Sequence, residues 1–210
     1  MELLERISDE LEKGNSEEVC KLTREALEAD IPPPKILSDG LALGMGVVGE
    51  KFRIQEFSIP EVLIAAEAMK AGMDVLRPKL IASGTKLVGK VVLGTVEGDI
   101  HDIGKNLVGM FVEGAGYQVI DLGIDVPLEK FLEAVRAHRP NILGLSTLLT
   151  TEMPRMKEIV ESLVEAGIRD TVKVMVGGAP LTEHFAKMIG ADGYAPDAPR
   201  AVTKANQLLS

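Results

Sequence analysis

Residues 90–108 read KVVLGTVEGDIHDIGKNLV, and this stretch decides the fold of the second half of the chain. Residues 90–94 are mostly apolar, as in a buried strand, and the residues from Ile103 onward have helical periodicity. Between them lies a D-x-H-x-x-G motif, Asp99-x-His101-x-x-Gly104, which places an imidazole on a strand-to-helix turn. A metal-ligating histidine usually has its second ring nitrogen held by a carboxylate. The turn therefore predicts either a metal ligand or a structural histidine held by hydrogen bonds.

Two phosphate-binding motifs do not fit this turn. A P-loop needs four residues between its first glycine and the Gly-Lys-Ser/Thr triplet. Here five residues separate Gly98 from Gly104, and Asn106 stands where the magnesium-binding hydroxyl should be. The dinucleotide motif G-x-G-x-x-G is absent because Asp99 occupies one of its glycine positions. Asp99 and Asp102 would also repel phosphate, so neither phosphate site is expected.

Composition excludes several classes of protein. The chain has 210 residues, 46% of them hydrophobic, which is enough for one sizeable domain and a smaller one. Its 23 basic and 32 acidic residues give a net charge of −9, so we expect no nucleic-acid partner. A single cysteine, Cys20, excludes an intramolecular disulfide and suits a reducing compartment. With no signal-type start and no long apolar run, we expect a cytoplasmic protein without a membrane partner.

The first half is predicted to be helical throughout. Helices are expected over residues 2–13, from the Asn15 cap through 29, over 35–52, and from Ser58 or Ile59 to Pro78. The run at 31–34, with prolines at 32–34, is expected to be a stiff connection that cannot be helix interior. Four helices in about 80 residues predict an antiparallel four-helix bundle over residues 1–84, with a linker at 82–85.

From residue 85 the pattern changes to alternating strands and helices. Strands are predicted at 90–94, 118–122, 142–146, 172–176 and 193–195. Apolar strands separated by helices indicate a parallel sheet that is buried on both faces. We therefore expect residues 85–210 to form a doubly wound, five-stranded, flavodoxin-like (Rossmann-like) α/β domain with strand order 2-1-3-4-5.

Unusual residues follow three of these strands. The D-x-H-x-x-G motif follows the first, Ser146-x-Leu148 follows the third, and Gly177-Gly178 follows the fourth. In this strand order the carboxyl ends of those strands are neighbours, so the three loops should line one crevice. The glycines would allow a flat or bulky ligand to approach the backbone closely.

These three motifs, about 40 and 30 residues apart, resemble the cobalamin-binding domains of methionine synthase and of corrinoid proteins in methylotrophic methyltransferase systems. The resemblance extends to the first half, where residues 44–52, 57–62 and 68–69 look like the helical cap that precedes the cobalamin domain in that family. It covers nearly the whole chain, because cap, linker and three motifs occur in the family's order.

The resemblance implies that a corrinoid cofactor binds with its own base displaced and with His101 as the lower axial ligand of cobalt. Asp99 would hydrogen-bond the other ring nitrogen of His101 and tune its donor strength. The displaced nucleotide tail would lie in the crevice. The residues expected to contact the cofactor there are Asp99, His101, Asp102, Gly104, Ser146, Leu148, Thr150, Gly177, Gly178, Tyr194 and Ala195.

Two further features remain open. In methionine synthase a serine six residues beyond the Ser-x-Leu serine continues the His-Asp pair, and here that position is Glu152. Glu152 either joins the Asp99 network, where it would raise a carboxyl pKa, or is a first-turn helix residue. The cap is expected to shield the upper face of cobalt, with Phe57 and then Met69 as contacts, although both also suit the bundle core.

The resemblance predicts a methyl carrier. A substrate-specific methyltransferase would place a methyl group on cobalt, and a second methyltransferase would pass it to a thiol or to tetrahydrofolate, with a reductive activator as a further partner. No separate catalytic residue is evident in the chain. The alternatives are the small subunit of an adenosylcobalamin-dependent mutase and a cobalamin-dependent sensor. The methyl donor is left open among methylamines, glycine betaine and methanol.

Overall fold

A computed structural model describes residues 2–84 and 87–210. They fall into two compact units. The first contains the residues up to 88 together with 113–116, and the second contains residues 89–112 and 117–210. The expected domain boundary between residues 84 and 85 adjoins Thr85 and Lys86, which lie outside the described residues, so that boundary stays a prediction.

The first unit is helical, as predicted. Its helices are α1 (Leu3–Glu12), α2 (Ser16–Glu28), α3 (Pro33–Ile36), α4 (Leu43–Arg53) and α5 (Ile59–Ala82), and a π-helical segment, Leu37–Ala42, joins α3 to α4. Asn15 caps α2 by accepting a hydrogen bond from the Glu18 N–H at 3.3 Å. Ser58 and Glu61 form a capping box at the start of α5.

The proline run is outside the helix interior, as predicted: Pro33 and Pro34 lie in the first turn of α3, where a proline needs no backbone N–H donor. One detail of the helix prediction is wrong. Pro78 does not end the last helix, because α5 continues to Ala82. Leu76 and Leu80 on either side of Pro78 are buried, and their burial offsets the backbone hydrogen bond that the proline cannot donate.

Apolar side chains at helical spacing form the core of the bundle. Ile7 and Leu11 of α1, Leu22 of α2 and Leu76 of α5 are all fully buried. Helices α1 and α4 approach closely at Gly44, where a Cβ would lie 2.9 Å from the Ser8 carbonyl oxygen. The four helical segments α1, α2, α3 to α4, and α5 confirm the predicted four-helix region.

The second unit contains a parallel sheet with the predicted order. Its described strands are β1 (Lys90–Thr95), β2 (Gln118–Asp121), β3 (Ile142–Ser146), β4 (Lys173–Gly177) and β5 (Gly193–Tyr194), arranged β2-β1-β3-β4-β5. Its helices are α6 (Ile103–Gly114), whose last two residues belong to the first unit, α7 (Leu128–His138), α8 (Met153–Glu165), α9 (Glu183–Met188) and α10 (Ala198–Leu209). Thr95 pairs with Ser146, and Ser146 with Gly177, so β1, β3 and β4 end at the same level.

Both faces of the sheet are covered by helices. Val92, Leu143 and Val174 point to one face and pack in a cluster with Phe131 of α7 and Ile159 of α8. The intervening residue Leu93 points to the other face, where Gly109 of α6 lies against it: a Cβ there would be 3.3 Å from Leu93 Cδ1. Every strand residue from Val91 to Thr95 is consequently buried. Burial on both faces leaves the ends of the strands as the place for a site.

No helix in the described parts of the chain is long and apolar enough to cross a membrane.

Replacing Phe131 by alanine is expected to lower the free energy of unfolding of the α/β unit by about 3–5 kcal/mol, because it empties a fully buried aromatic site. The chain has no tryptophan, so far-ultraviolet circular dichroism in urea is the suitable measurement. Val164→Ala is the control, since Val164 on α8 is 60% exposed and its loss should cost about 0.5 kcal/mol or less. Equal effects of the two substitutions would contradict the packing described here.

Candidate functional site

The three loops that carry the sequence motifs are neighbours in the structure. The Val96 N–H donates to the Ser146 carbonyl at 3.1 Å, which joins the loop after β1 to the end of β3. The Thr147 N–H donates to the Gly177 carbonyl at 3.3 Å, which joins the loop after β3 to the end of β4. The expected juxtaposition of these loops at the carboxyl edge of the sheet is therefore present.

Asp99 and His101 form a close polar pair at this edge. His101 Nδ1 lies 2.6 Å from Asp99 Oδ1, and the His101 backbone N–H donates to the same oxygen at 2.9 Å. The Asp99 side chain is fully buried, whereas the His101 side chain is 50% exposed. Since an ionised carboxylate can only accept, Nδ1 carries a proton, and in the neutral ring Nε2 is the nitrogen with the lone pair. The pair presents a half-exposed imidazole whose Nδ1 is fixed as the hydrogen-bond donor.

The second oxygen of Asp99 is held from the loop after β3. Asp99 Oδ2 accepts the Thr147 hydroxyl at 2.6 Å and the Leu148 backbone N–H at 2.6 Å. Burial acts to raise the pKa of the Asp99 carboxyl, but hydrogen bonds from Thr147, from the His101 and Leu148 N–H groups and from the His101 ring together hold that pKa well below its usual range. Asp99 is therefore ionised at neutral pH.

The turn itself is fixed by three further hydrogen bonds. The Thr95 hydroxyl donates to the His101 carbonyl at 3.0 Å. Asp125, in the loop after β2, donates its N–H to the Asp99 carbonyl at 3.0 Å and accepts the Gly98 N–H on its side chain at 2.8 Å. Loops from three strands thus hold the histidine in place, and the turn needs little reorganisation to present it.

Glu152 does not join this network as a partner of Asp99. It comes just before α8, where its Oε2 lies 3.8 Å from Arg155 Nε, and its carboxylate packs against Gly98. Both carboxylate oxygens of Asp99 already accept hydrogen bonds, from His101, Thr147 and Leu148. The structure therefore supports the other alternative, a residue at the start of the following helix.

The other predicted contacts near the histidine have separate surroundings. Ser146 is half-buried at the end of β3, and its carbonyl accepts the Val96 N–H. Asp102 is exposed and accepts a hydrogen bond from the Asn106 amide at 3.0 Å. Thr150 is exposed in a single 3₁₀ turn, Thr150–Glu152. Their contacts with a cofactor stay predictions.

Around Gly104 no atom lies within 4 Å of a built Cβ, so there is open space beside it. Gly178 has φ +141°, and a Cβ there would lie 1.8 Å from the Thr147 carbonyl oxygen, so only glycine fits. A Cβ on Gly177 would lie 3.2 Å from the carbonyl oxygen of Ala195, which places the end of β5 at the same edge. Tyr194 is half-buried and packs against the core cluster of the sheet.

Phe57 and Met69 belong to the helical unit. Phe57 is half-buried, with Lys51 Nζ 5.0 Å from its ring centroid, and Met69 is 2% exposed. Their expected contacts with the upper face of a cofactor stay predictions.

Exposed apolar side chains lie in the same loops as the imidazole. Ile100 and Ile103 are close to His101 in sequence and are 70% and 57% exposed. Leu148, whose N–H donates to Asp99, is 45% exposed, and Ile124, next to Asp125, is 43% exposed. Four large apolar side chains left in water in these loops favour a ligand with a broad apolar surface.

The described residues hold no cluster of three or more histidine, cysteine or acidic side chains that is suited to a metal ion. A metal held by His101 alone would have to bring its other ligands with it.

Thr147 and Lys105 are the residues that sequence reasoning missed. Thr147 is the unassigned middle residue of Ser146-x-Leu148, and its position directly after a buried strand was the available signal. Lys105 is 4% exposed, and its Nζ donates to Asp121 at 2.5 Å and to Asn106 at 2.7 Å. Because Asp121 also accepts the Gly123 N–H, this buried lysine ties α6 to the loop after β2.

Asp99→Asn is expected to destabilise the folded protein at pH 7 by about 1–3 kcal/mol, because its amide NH₂ would face donors that now point at a carboxylate. The folded pKa of Asp99 is below the unfolded value of about 3.9, so its contribution is present above that pH and is lost as pH falls further. Urea unfolding at pH 7 and near pH 3.5 should show a smaller difference between variant and wild type at the acid value. Asp170→Asn, at an exposed position, is the control. A constant difference at both pH values would contradict this.

Comparison with known proteins identifies the family. Two family models described as B12 binding domains match the chain, one over residues 89–203 and one over residues 3–77. Trimethylamine corrinoid protein 1 of Methanosarcina acetivorans is 43% identical, over 99% of this chain and 97% of that protein.

Solved structures agree. A cobalamin-binding protein from Desulfitobacterium hafniense is 31% identical with a TM-score of 0.81, and the match covers 99% of this chain and 98% of the other. A chain of the methanol:cobalamin methyltransferase complex from Methanosarcina barkeri is 33% identical with a TM-score of 0.85, over 99% and 79% of the two chains. With both halves matched and the three motifs gathered at one edge of the sheet, this chain belongs to the family of corrinoid proteins with B12 binding domains.

Proposed function

We propose that this protein carries a methyl group on a corrinoid cofactor between two methyltransferases. The observation that carries the proposal is the His101 imidazole, half exposed and fixed in one tautomer by a buried, ionised carboxylate. Membership of the corrinoid protein family supports it, as does the name of the trimethylamine relative.

The residues at the edge fit a corrinoid. A corrin ring supplies four nitrogens to its cobalt, so one protein ligand is enough, and His101 offers Nε2. The ring is broad and largely apolar, which suits the exposed side chains of Ile100, Ile103, Ile124 and Leu148. The open space beside Gly104 and the half-buried glycine pair at 177–178 would receive the nucleotide tail. Asp102, Ser146, Thr150, Tyr194 and Ala195 are proposed to complete the contacts.

The bound corrinoid supplies the methyl-transfer chemistry, because its cobalt acts as nucleophile and leaving group. The protein's own residues orient and tune the site. Asp99 keeps a proton on Nδ1 of His101, so that in the neutral ring Nε2 has the lone pair that a metal needs. Its negative charge, held 2.6 Å from the ring, strengthens Nε2 as a metal ligand. Hydrogen bonds to Thr95 and Asp125 keep the turn rigid, and this limits the reorganisation needed when a ligand arrives.

The proposed partners follow from this role. A methylamine-specific methyltransferase is the proposed donor, because the trimethylamine corrinoid protein of Methanosarcina acetivorans is 43% identical. A second methyltransferase would transfer the methyl group to a thiol or to tetrahydrofolate, and a reductive activator would restore oxidised cofactor. Phe57 and Met69 of the helical unit are proposed to shield the methyl-bearing face.

The test begins with protein that is loaded with cobalamin and then reduced. Adding a trimethylamine-specific methyltransferase and trimethylamine should convert the bound cofactor to its methylated form, which is followed by its absorption spectrum. Parallel reactions with methanol and glycine betaine test the choice of donor. The carrier proposal would be overturned if the protein bound adenosylcobalamin but not methylcobalamin. It would also be overturned if no pair of methyl donor and methyltransferase methylated the bound cofactor.

His101→Gly is expected to change the absorption spectrum of bound cobalamin, because the lower ligand of cobalt is lost. The variant protein should also bind the corrinoid about 10–100-fold more weakly. His184→Gln, which replaces another exposed histidine, is the matched control and should leave both properties unchanged. An unaltered spectrum in the His101 variant would disprove the ligand assignment.

A further inference from the structure

The hydroxyl of Thr147 connects two parts of the site. It donates to Asp99 Oδ2 at 2.6 Å and accepts the Leu149 N–H at 3.2 Å, and the residue is 1% exposed. The other side of Asp99 is bonded to the His101 ring. A continuous chain of contacts therefore runs from the loop after β3, through one buried carboxylate, to the imidazole.

The position of Thr147 is fixed from its far side by the glycine loop. Gly178 presses its backbone against Thr147 so closely that a Cβ would lie 1.8 Å from the Thr147 carbonyl oxygen. The Thr147 N–H donates to Gly177 at 3.3 Å. Besides leaving the backbone accessible to a ligand, the pair Gly177-Gly178 fixes the backbone of Thr147 so that its hydroxyl contacts Asp99.

Neighbouring side chains do not replace Thr147 as a hydroxyl donor to Asp99. Ser146 contributes a backbone carbonyl to Val96. Glu152 is acceptor-only when ionised, and it pairs with Arg155. Among the described residues, Thr147 is the one whose side-chain hydroxyl donates to the carboxylate.

On these grounds we propose that Thr147 is a positioning residue, which locks the Asp99 carboxylate and through it the direction and tautomer of the His101 ring. The inference deepens the proposed function and rests on it where cobalt ligation is concerned. Its physical basis is that a buried carboxylate oxygen left with one donor instead of two loses a charge-assisted hydrogen bond and is held less firmly. Thr147, next to Ser146, supplies a hydroxyl partner for Asp99, whereas Glu152 pairs with Arg155.

The test uses two variants and a corrinoid without a nucleotide tail. Thr147→Val keeps the shape and removes the hydroxyl, and Thr147→Ser keeps the hydroxyl. Diaquocobinamide is the probe, because its affinity reports ligation by the protein without any contribution from the tail. We expect about tenfold weaker binding and an altered absorption spectrum for Thr147→Val, and near wild-type behaviour for Thr147→Ser.

Thr23→Val is the matched control, because Thr23 is a fully buried threonine in α2 whose hydroxyl bonds only within its own helix, to the Val19 carbonyl at 2.7 Å. It should lose stability without any change in cobinamide binding. Equal binding by Thr147→Val and wild type, or equal loss in Thr147→Val and Thr147→Ser, would overturn the proposal.

A measurement on the corrinoid-free protein separates this inference from the proposed function. In proton–nitrogen NMR the His101 Nδ1–H should exchange with water about tenfold faster in Thr147→Val than in wild type or Thr147→Ser. If wild type binds no corrinoid, the proposed function fails, while the exchange rates still decide the role of Thr147. Unchanged exchange in Thr147→Val would refute that role.

Discussion

The buried carboxylate of Asp99 is the group on which the rest of the site depends. It accepts four hydrogen bonds, two from His101 and one each from Thr147 and Leu148. A carboxylate without those donors would be too costly to bury, and without the carboxylate the donors would lack acceptors. The motif histidine is therefore held by the same interaction that allows a charge inside the protein.

The sheet explains why these groups meet. Strands β1, β3 and β4 end at one level, so the loops that follow them share an edge. Val92 and Leu93 are buried on opposite faces of β1, so polar side chains that bind a ligand have to lie at the end of the strand. The loop after β2 contributes through Asp125, and the lysine of α6, Lys105, holds that loop from behind. A rigid scaffold thus presents one exposed imidazole in loops that also expose apolar side chains.

Much of this could be predicted because the signals are local. Buried strands alternating with helices favour the doubly wound strand order that the sheet has. The spacing of the motif puts the Asp99 carboxylate in the same turn as His101, and the resemblance to cobalamin-binding domains implied the hydrogen bond between them. Pro78 shows where local rules fail, because burial of Leu80 outweighs the proline's missing N–H. Thr147 shows another limit: its role depends on Gly178 and Asp99, which are distant in sequence and meet only across the sheet edge. For Glu152 the sequence left two alternatives open, and its ion pair with Arg155 forms at the start of the following helix.

The central claim is that Nε2 of His101 ligates cobalt, and electron paramagnetic resonance of the cobalt(II) form tests it most directly. Protein with nitrogen-15 histidine is loaded with cobalamin of natural isotopic abundance, so that the axial nitrogen is identified by its nuclear spin. Ligation by His101 predicts that the nitrogen-15 nucleus splits each cobalt hyperfine line in two. Splitting of each line into three, by the nitrogen-14 of the cofactor's own base, would contradict this ligation.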